Sequence, residues 1–151
     1  MPELRRLLEA VSADSLYSRF FGTLSLDRAA ASLADCARPG DIALVAQGGP
    51  ERSIVAHAGA FRTGEDRAEA AFLVADGWQG RGLGSIMFSR LAAAARERGI
   101  ATLVAEVLPG NHPMLAVFQR AGHPVRIEPG AQSVRVLIAT APLETADPLA
   151  A

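Results

Sequence analysis

The sequence has 151 residues, half of them apolar, which is long enough for one domain with a proper core and too short for two ordinary ones. Its 15 Lys and Arg residues against 16 Asp and Glu give a net charge of -1, so no overall charge favours nucleic acid or an anionic membrane, and we expect neither as a partner. The single cysteine, Cys36, excludes an internal disulfide framework and suits a reducing compartment, which predicts a cytoplasmic protein.

The N-terminal part of the sequence has apolar residues at helical spacing. Apolar residues recur with a helical period over residues 2–18, which predicts one or two helices, and a further helix is predicted over residues 27–36. Pro39 and Gly40 end this second stretch. Charged residues interrupt the N-terminal leucines, so this segment is not a secretory signal, and no other stretch is long enough to span a membrane.

Strands follow the N-terminal helices. Residues 41–47 and 53–62 are apolar and flank the turn-forming residues 48–50, which predicts an antiparallel hairpin. A third strand is predicted over residues 69–75. Three consecutive strands of this kind indicate a meander.

After these strands the apolar residues recur with a helical period, and they form the clearest predicted helix in the chain. Leu83, Met87 and Leu91 form one apolar stripe, and Gly99 stands where a helix commonly ends. The remaining predicted elements are a strand over residues 102–108, a short helix over 113–121 and a last strand over 133–139. This order predicts an α/β or α+β domain over residues 1–140, with a mixed sheet and helices on both faces, and a frayed tail over 141–151.

A glycine-rich turn, Gln-Gly-Arg-Gly-Leu-Gly at residues 79–84, lies between the third strand and this helix. Three glycines let the backbone approach a bulky anion, while the first N–H groups and the dipole of the helix point toward it. The spacing differs from the G-x-G-x-x-G dinucleotide pattern, and no Lys-Ser/Thr pair follows to make a P-loop. A pyrophosphate fits the turn, and a tight turn without a ligand is the alternative.

Several segments together resemble the GNAT superfamily of N-acetyltransferases. Residues 79–84 resemble the family's Q/R-x-x-G-x-G/A motif, and residues 74–78 resemble the strand end and loop that precede it. Residues 106–111, with Met114, Phe118 and Gly122, are similar to the second conserved region, in which an Asn starts a helix beside the pantetheine arm. Residues 15–21 resemble the opening helices of Pat-type bacterial protein lysine acetyltransferases. The resemblance covers residues 12–140.

The resemblance implies a GNAT fold with a splayed, mostly antiparallel mixed sheet, and acetyl-CoA bound between strands 69–75 and 102–108. The backbone of the glycine turn would hold the pyrophosphate, and the third strand would pair with the pantetheine amides like an added strand. The residues assigned to acetyl-CoA in this way are Leu73, Val74, Ala75, Gln79, Gly80, Arg81, Gly82, Leu83, Gly84, Ser85, Asn111 and Phe118. For Arg81, a phosphate contact and simple solvation are both open.

Acetyl transfer to an amine requires a base, because a lysine ammonium has a pKa near 10.4 and only the neutral amine attacks a thioester. The resemblance assigns this role to Glu69, and a backbone N–H near Val74 would stabilise the oxyanion. Glu69 as a solvent-facing acid beside Arg67 and Glu106 as the base are the alternatives. Many family members protonate the leaving thiolate with a tyrosine. This sequence has Phe118 there, so a water would serve.

Other candidate residues favour structural roles. His57 lies on an apolar strand and is interpreted as a core or cleft histidine, while His112 and His123 are too isolated to predict a metal site. Cys36 is interpreted as a small buried residue and Trp78 as a packed loop aromatic. We therefore expect no metal.

Three functions follow from the resemblance. The first is a protein lysine acetyltransferase, whose natural target in the Pat-type group is an acyl-CoA synthetase. The second is a small-molecule amine acetyltransferase, and the third is a CoA-binding module without catalysis, which the phenylalanine at position 118 would suit. One departure is that GNAT domains commonly open with an edge strand, whereas residues 2–9 are helical. Either that strand is replaced or the chain is a domain of a larger enzyme.

Overall fold

Three α-helices and six strands make up the described part of the chain, residues 2–10 and 40–143 of a computed structural model. Within these residues a single 3₁₀ turn, Asp76–Trp78, joins the third strand to the second helix. In chain order the elements are α1 (Pro2–Glu9), β1 (Ile42–Gly48), β2 (Ser53–Arg62), β3 (Arg67–Val74), α2 (Leu83–Glu97), β4 (Thr102–Val107), α3 (His112–Arg120), β5 (Val125–Pro129) and β6 (Val134–Ala139). The order confirms the predicted α+β architecture.

The strands form one six-stranded sheet in the order β1-β2-β3-β4-β6-β5. Neighbouring strands are antiparallel except β3 and β4, which are parallel and pair over three rungs, from Arg67 opposite Thr102 to Glu69 opposite Val104. Beyond Glu69, β3 stays paired with β2 and β4 stays paired with β6. The two central strands therefore diverge, which confirms the predicted splayed, mixed and mostly antiparallel sheet.

Alternation along β2 explains why helices cover both faces of the sheet. Its small residues Ala56, Ala58 and Ala60 are fully buried and pack in the main core against one side of α2. Because successive residues of a strand face opposite sides, Val55 lies on the other face, where it packs with Leu7 and Leu8 of α1. The apolar stripe of α2 accounts for its position, since Met87, Phe88, Leu91, Ala92 and Ala95 are all buried.

The structure agrees with most predicted elements and corrects several boundaries. The β1–β2 hairpin and α2 lie where the sequence predicts them. The third strand begins at Arg67, because the exposed hairpin tip is shorter than expected, and it ends at Val74. The fourth strand ends at Val107, and α3 begins one residue early, at His112.

One strand was missed in the sequence. Strand β5, Val125–Pro129, pairs antiparallel with β6 at the sheet edge. It is five residues long, largely exposed, and ends in a proline, so neither its length nor its hydrophobicity marks it as a strand. Residues 11–18 of the first predicted helical stretch, the helix predicted over residues 27–36, and residues 144–151 of the predicted tail lie outside the described residues.

An aromatic cluster joins β3 to both later helices. Phe88 of α2 is fully buried, with its ring centroid 5.5 Å from that of Phe118 on α3 and 6.2 Å from that of Phe72 on β3. The Phe72 and Phe118 centroids are 5.8 Å apart. These tilted and edge-to-face contacts fix α3 against the strand that diverges from β4.

We expect Phe88→Ala to lower the free energy of unfolding by about 3 to 5 kcal/mol, because it leaves a cavity at the centre of this cluster. Equilibrium denaturation measures the change. Ile86→Ala is the matched control: the side chain lies on the same helix but is 53% exposed, so its truncation should change stability by less than about 0.5 kcal/mol. Equal losses in the two variants would contradict this assignment of the core.

Candidate active site

A cleft of about 790 Å³ opens where β3 and β4 diverge. One wall is β3 from Glu69 to Val74, and the opposite wall is β4 with the loop after it. The glycine turn and the start of α2 close one end, and α3 forms a further wall. The cleft thus lies at the carboxyl ends of the two parallel strands, where open sheets of this kind bind ligands.

Most of the residues predicted to bind acetyl-CoA line this one cleft. They are Leu73, Val74, Gln79, Gly80, Gly82, Leu83, Gly84, Ser85, Asn111 and Phe118, and the predicted base Glu69 lies among them. Ala75 and Arg81 do not line it. Ala75 is buried, and its N–H and C=O are hydrogen bonded to Val55 O and Trp78 N at 2.8 Å each.

The glycine turn has the backbone geometry that an anion site needs. Gly80 and Gly82 have φ values of +75° and +80°, which only glycine adopts without strain, and a Cβ on either would meet nothing within 4 Å. Gly82 is the N-cap of α2, and no side chain caps that helix end. The first turn of α2 also carries no acidic residue. Its N–H groups are therefore directed at an open, electropositive space.

Two side chains, those of Gln79 and Arg81, hold this turn in place. The Gln79 amide donates to Val74 O at 3.1 Å and to an Asp76 carboxylate oxygen at 3.3 Å, which ties the turn back to the end of β3. The Arg81 guanidinium carbon lies 5.0 Å from the Trp78 ring centroid, a cation–π arrangement. The Trp78 ring in turn lies against Gly48 at the end of β1, where a Cβ would approach within 2.5 Å.

Helix α3 supplies the apolar wall. Asn111 is its N-cap, with its side-chain oxygen accepting the Met114 N–H at 3.4 Å. Met114, Val117 and Phe118 line the cleft from this helix. Phe118 is fully buried and has no hydroxyl to donate a proton. Met114 and Val117 lie at the cleft because residues 114, 117 and 118 share one face of the helix. This spacing is visible in the sequence and could have identified both residues.

The wall opposite β3 contains three cleft residues that were also missed. Ala105 and Val107 of β4 and Leu108 just after the strand line this wall. Ala105 and Val107 are each 3% exposed, so their place in an apolar strand gives no sign that they border a cleft. The divergence of β3 from β4 is what opens the cleft beside them.

Glu69 lies at the point where β3 and β4 separate. It occupies the last rung of their pairing, opposite Val104, and its side chain is exposed at the cleft. Among the described residues, no side chain is hydrogen bonded to its carboxylate or lies within ion-pair distance of it, and its charge is one of those that raise the pKa of Arg135. A cation that approached this carboxylate would therefore not have to displace a contacting ion pair.

Glu106, the alternative base, is engaged on both carboxylate oxygens. One accepts from Arg135 Nε and the other from Ser133 Oγ, each at 2.8 Å. Arg135 is its cross-strand partner on β6. The hydrogen bond from Arg135 lowers the pKa of Glu106, and that from Ser133 lowers it further against the opposing effect of burial. This arrangement stabilises the ionised form and disfavours proton uptake.

The histidines have structural surroundings. His57 is 1% exposed on β2, between Val45 and Leu73 of the flanking strands. His123 lies 2.8 Å from Ala139 O through Nδ1, and its ring packs edge-on against Phe88. Within residues 2–10 and 40–143, no group of three His, Cys, Asp or Glu side chains is placed to hold a metal ion. Cys36 lies outside the described residues.

The same part of the chain contains no helix long and apolar enough to cross a membrane.

Comparison with known proteins identifies the class and the family. Residues 10–123 match a model of the acetyltransferase (GNAT) family. The GNAT domain of S. lividans PAT is 34% identical, with a TM-score of 0.80 over 91% of this chain and 84% of that chain. The protein is therefore an acyltransferase with acetyl-CoA as its acyl donor. The chain belongs to the GNAT family.

More distant structures share the fold. A phosphinothricin acetyltransferase from Sinorhizobium meliloti, in complex with AcCoA, is 15% identical with a TM-score of 0.71, over 94% of this chain and 84% of that chain. A spermidine N-acetyltransferase from Vibrio cholerae, in complex with CoA and spermine, is 14% identical with a TM-score of 0.70, over 92% and 90%. At these identities the likeness concerns the fold alone.

We expect Gly82→Ala to weaken acetyl-CoA binding about tenfold, because a side chain at φ +80° costs about 1 to 2 kcal/mol and shifts the start of α2. Isothermal titration calorimetry gives the dissociation constant. The control is Gly64→Ala, in the exposed turn between β2 and β3, where a Cβ meets nothing within 4 Å. Unchanged affinity in Gly82→Ala would argue against the anion site.

We expect Glu106→Gln to be less stable than the wild type at pH 7. The folded-state pKa of Glu106 lies below its unfolded value, so the carboxylate stabilises the fold above about pH 4.3. That contribution is lost as the pH falls through the folded-state pKa, and the two proteins should converge once the pH lies below that pKa. Denaturation at several pH values tests this, with exposed Glu65→Gln as the control. A difference independent of pH would refute the linkage.

Proposed function

We propose that this protein transfers the acetyl group of acetyl-CoA to the ε-amine of a lysine in a protein substrate, for example an acyl-CoA synthetase, with Glu69 as the general base. The observation that carries the base assignment is the contrast between the two acids lining the cleft. Glu106 holds Arg135 and Ser133 through both oxygens, whereas Glu69 has no such partner among the described residues. Glu69 is therefore the cleft carboxylate that can accept a proton.

The described residues suit two parts of acetyl-CoA, the pyrophosphate and the pantetheine arm. The backbone N–H groups of Gly80, Gly82 and the first turn of α2, residues 83–85, would hold the pyrophosphate. Leu73 and Val74 would pair with the pantetheine amides, because β3 has no β4 partner over this stretch. The apolar wall of α3 would cover the arm from the other side. Gln79 would act through the turn that it anchors to Val74.

Arg81 and Ala75 would contribute less to acetyl-CoA binding than the residues that line the cleft. Arg81 does not line the cleft but stacks on Trp78, which does, and its charge adds to the positive end of α2. The backbone groups of Ala75 are used within the fold. The cofactor-binding stretch of β3 would thus end at Val74.

One side chain and one backbone group would have separate roles in acetyl transfer. Acetyl-CoA supplies the activated acyl group. Glu69, at the edge of the cleft, would take the proton that a lysine ammonium must lose before it attacks. A backbone N–H near Val74 would donate to the oxyanion, an interaction typically worth about 2.7 to 4 kcal/mol. Since Phe118 has no hydroxyl and Tyr17 is the single tyrosine, a water would protonate the departing thiolate, whose pKa is about 8.5.

Two observations support a protein acceptor over a small amine. The sequence is 34% identical to the GNAT domain of S. lividans PAT, well above its identity to the phosphinothricin and spermidine enzymes. Residues 15–21 carry the resemblance to Pat-type protein lysine acetyltransferases. The single cysteine suits the reducing cytoplasm, where we place the reaction.

We expect Glu69→Gln to lower kcat about 100-fold or more while leaving the dissociation constant of acetyl-CoA unchanged, because the substitution removes the base and keeps the size of the side chain. The first measurement uses labelled acetyl-CoA and a bacterial lysate, and follows label onto protein. Glu65→Gln, an exposed acid on the β2–β3 turn, is the matched control.

The other outcomes separate the rival functions. A loss in Glu106→Gln but not in Glu69→Gln would move the base to β4. Label in the small-molecule fraction alone would identify a metabolite acetyltransferase. Tight acetyl-CoA binding without CoA release in any fraction would leave a CoA-binding module and reject catalysis.

A further inference from the structure

A phenylalanine ring lies beside Glu69 on the neighbouring strand. Phe61 of β2 is the cross-strand partner of Glu69 in the antiparallel β2–β3 pairing. Directly opposed residues of such a pair point to the same face of the sheet, with Cβ atoms about 4.5 to 5.5 Å apart. Phe61 is half-buried. An apolar residue thus lies on the same face of the sheet as Glu69, next to the residues that line the cleft.

Gly59 determines how this ring is seated. A Cβ on Gly59 would lie 2.8 Å from Cζ and 2.9 Å from Cε2 of Phe61, so the ring folds back along β2 and covers the glycine. Only a residue without a side chain permits this position. The partner of Gly59 on β3 is Ala71, which lines the cleft and is also small. The small Gly59–Ala71 rung leaves room for the ring next to Glu69.

A ring beside a carboxylate is complementary to an amine on an apolar stem. The methylene groups of such a stem pack on the ring, and the ammonium is attracted both to the π face and to the carboxylate. The amine of an α-amino acid would bring its own carboxylate next to Glu69. The same arrangement therefore disfavours an α-amino acid as the acceptor.

We propose that Phe61, seated on Gly59, and Glu69 form the acceptor subsite, and that it takes a primary ammonium on an unbranched alkyl stem. This inference rests on the proposed function, since it places the acceptor at the base named there. A lysine side chain and a polyamine share this chemistry. Phe61 is then a specificity-determining residue that contacts the stem, and Gly59 is a positioning residue that acts through Phe61.

The test compares three acceptors at saturating acetyl-CoA: a lysine-containing peptide with a blocked N-terminus, spermidine, and a lysine-free peptide with a free N-terminal alanine. We expect the wild type to use the first two and to prefer the lysine peptide. Phe61→Leu and Phe61→Ala should raise KM for the alkylamines about tenfold with kcat changed less than about twofold. Gly59→Ala should raise KM similarly, because it displaces the ring.

Folding and cofactor binding are checked in each variant by its melting temperature and its acetyl-CoA dissociation constant, both of which should stay near the wild-type values in Phe61→Leu. Ile127→Ala, a truncation of an exposed apolar side chain on the edge strand β5, is the control and should leave KM unchanged. Unchanged KM in both Phe61 variants would overturn the subsite, as would preference for the alanyl peptide.

The subsite and the proposed function fail in different ways. Loss of activity in Glu69→Gln with unchanged KM in the Phe61 variants would reject the subsite and keep the base. A lower KM for spermidine than for the lysine peptide would keep the subsite and reassign the source of the amine. No transfer by the wild type to any of the three acceptors would reject both.

Discussion

The divergence of β3 from β4 is the constraint on which the rest of the site depends. The two strands pair over three rungs and then separate, while β2 and β6 hold each of them on its outer side. The separation exposes backbone groups of β3 that a regular sheet would satisfy internally. A ligand with its own amides can pair with them as an added strand does. The same rungs place Glu69 at the end of the opening, so the position of the proposed base and the opening of the cleft have one structural cause.

Helix α2 connects the stability of the fold to the binding of the acyl donor. Its buried stripe, centred on Phe88, is part of the main core, while its N-terminus forms the glycine turn at the cleft. A helix end without a side-chain cap is less stable than a capped one. Here packing against the sheet fixes the helix, so its first N–H groups can remain available to an anion. The core thus compensates for a helix start that is left open for function.

What the sequence alone can predict depends on how far apart two interacting residues lie along the chain. The glycine turn and α2 are local patterns, and the structure places both where the sequence predicts them. The pairing of Glu106 with Arg135 joins residues 29 positions apart, and it depends on the register of β6 against β4. Sequence alone could not separate the two glutamates for this reason. Strand β5 escaped prediction because pairing with β6, rather than its own hydrophobicity, makes it a strand.

The exposure of Glu69 gives the acceptor a part in its own activation. A carboxylate in open water is fully hydrated, and taking a proton from an ammonium is then unfavourable, since the pKa values of the two groups in water are about 4.3 and 10.4. An acceptor that covers the carboxylate removes that water and lowers the cost of neutralising the pair. The alkyl stem of the acceptor would itself supply the apolar surface that keeps the water out, while the ring of Phe61, directly opposite Glu69, would hold that stem. Binding of the stem would then place the ammonium beside the carboxylate before the proton is transferred.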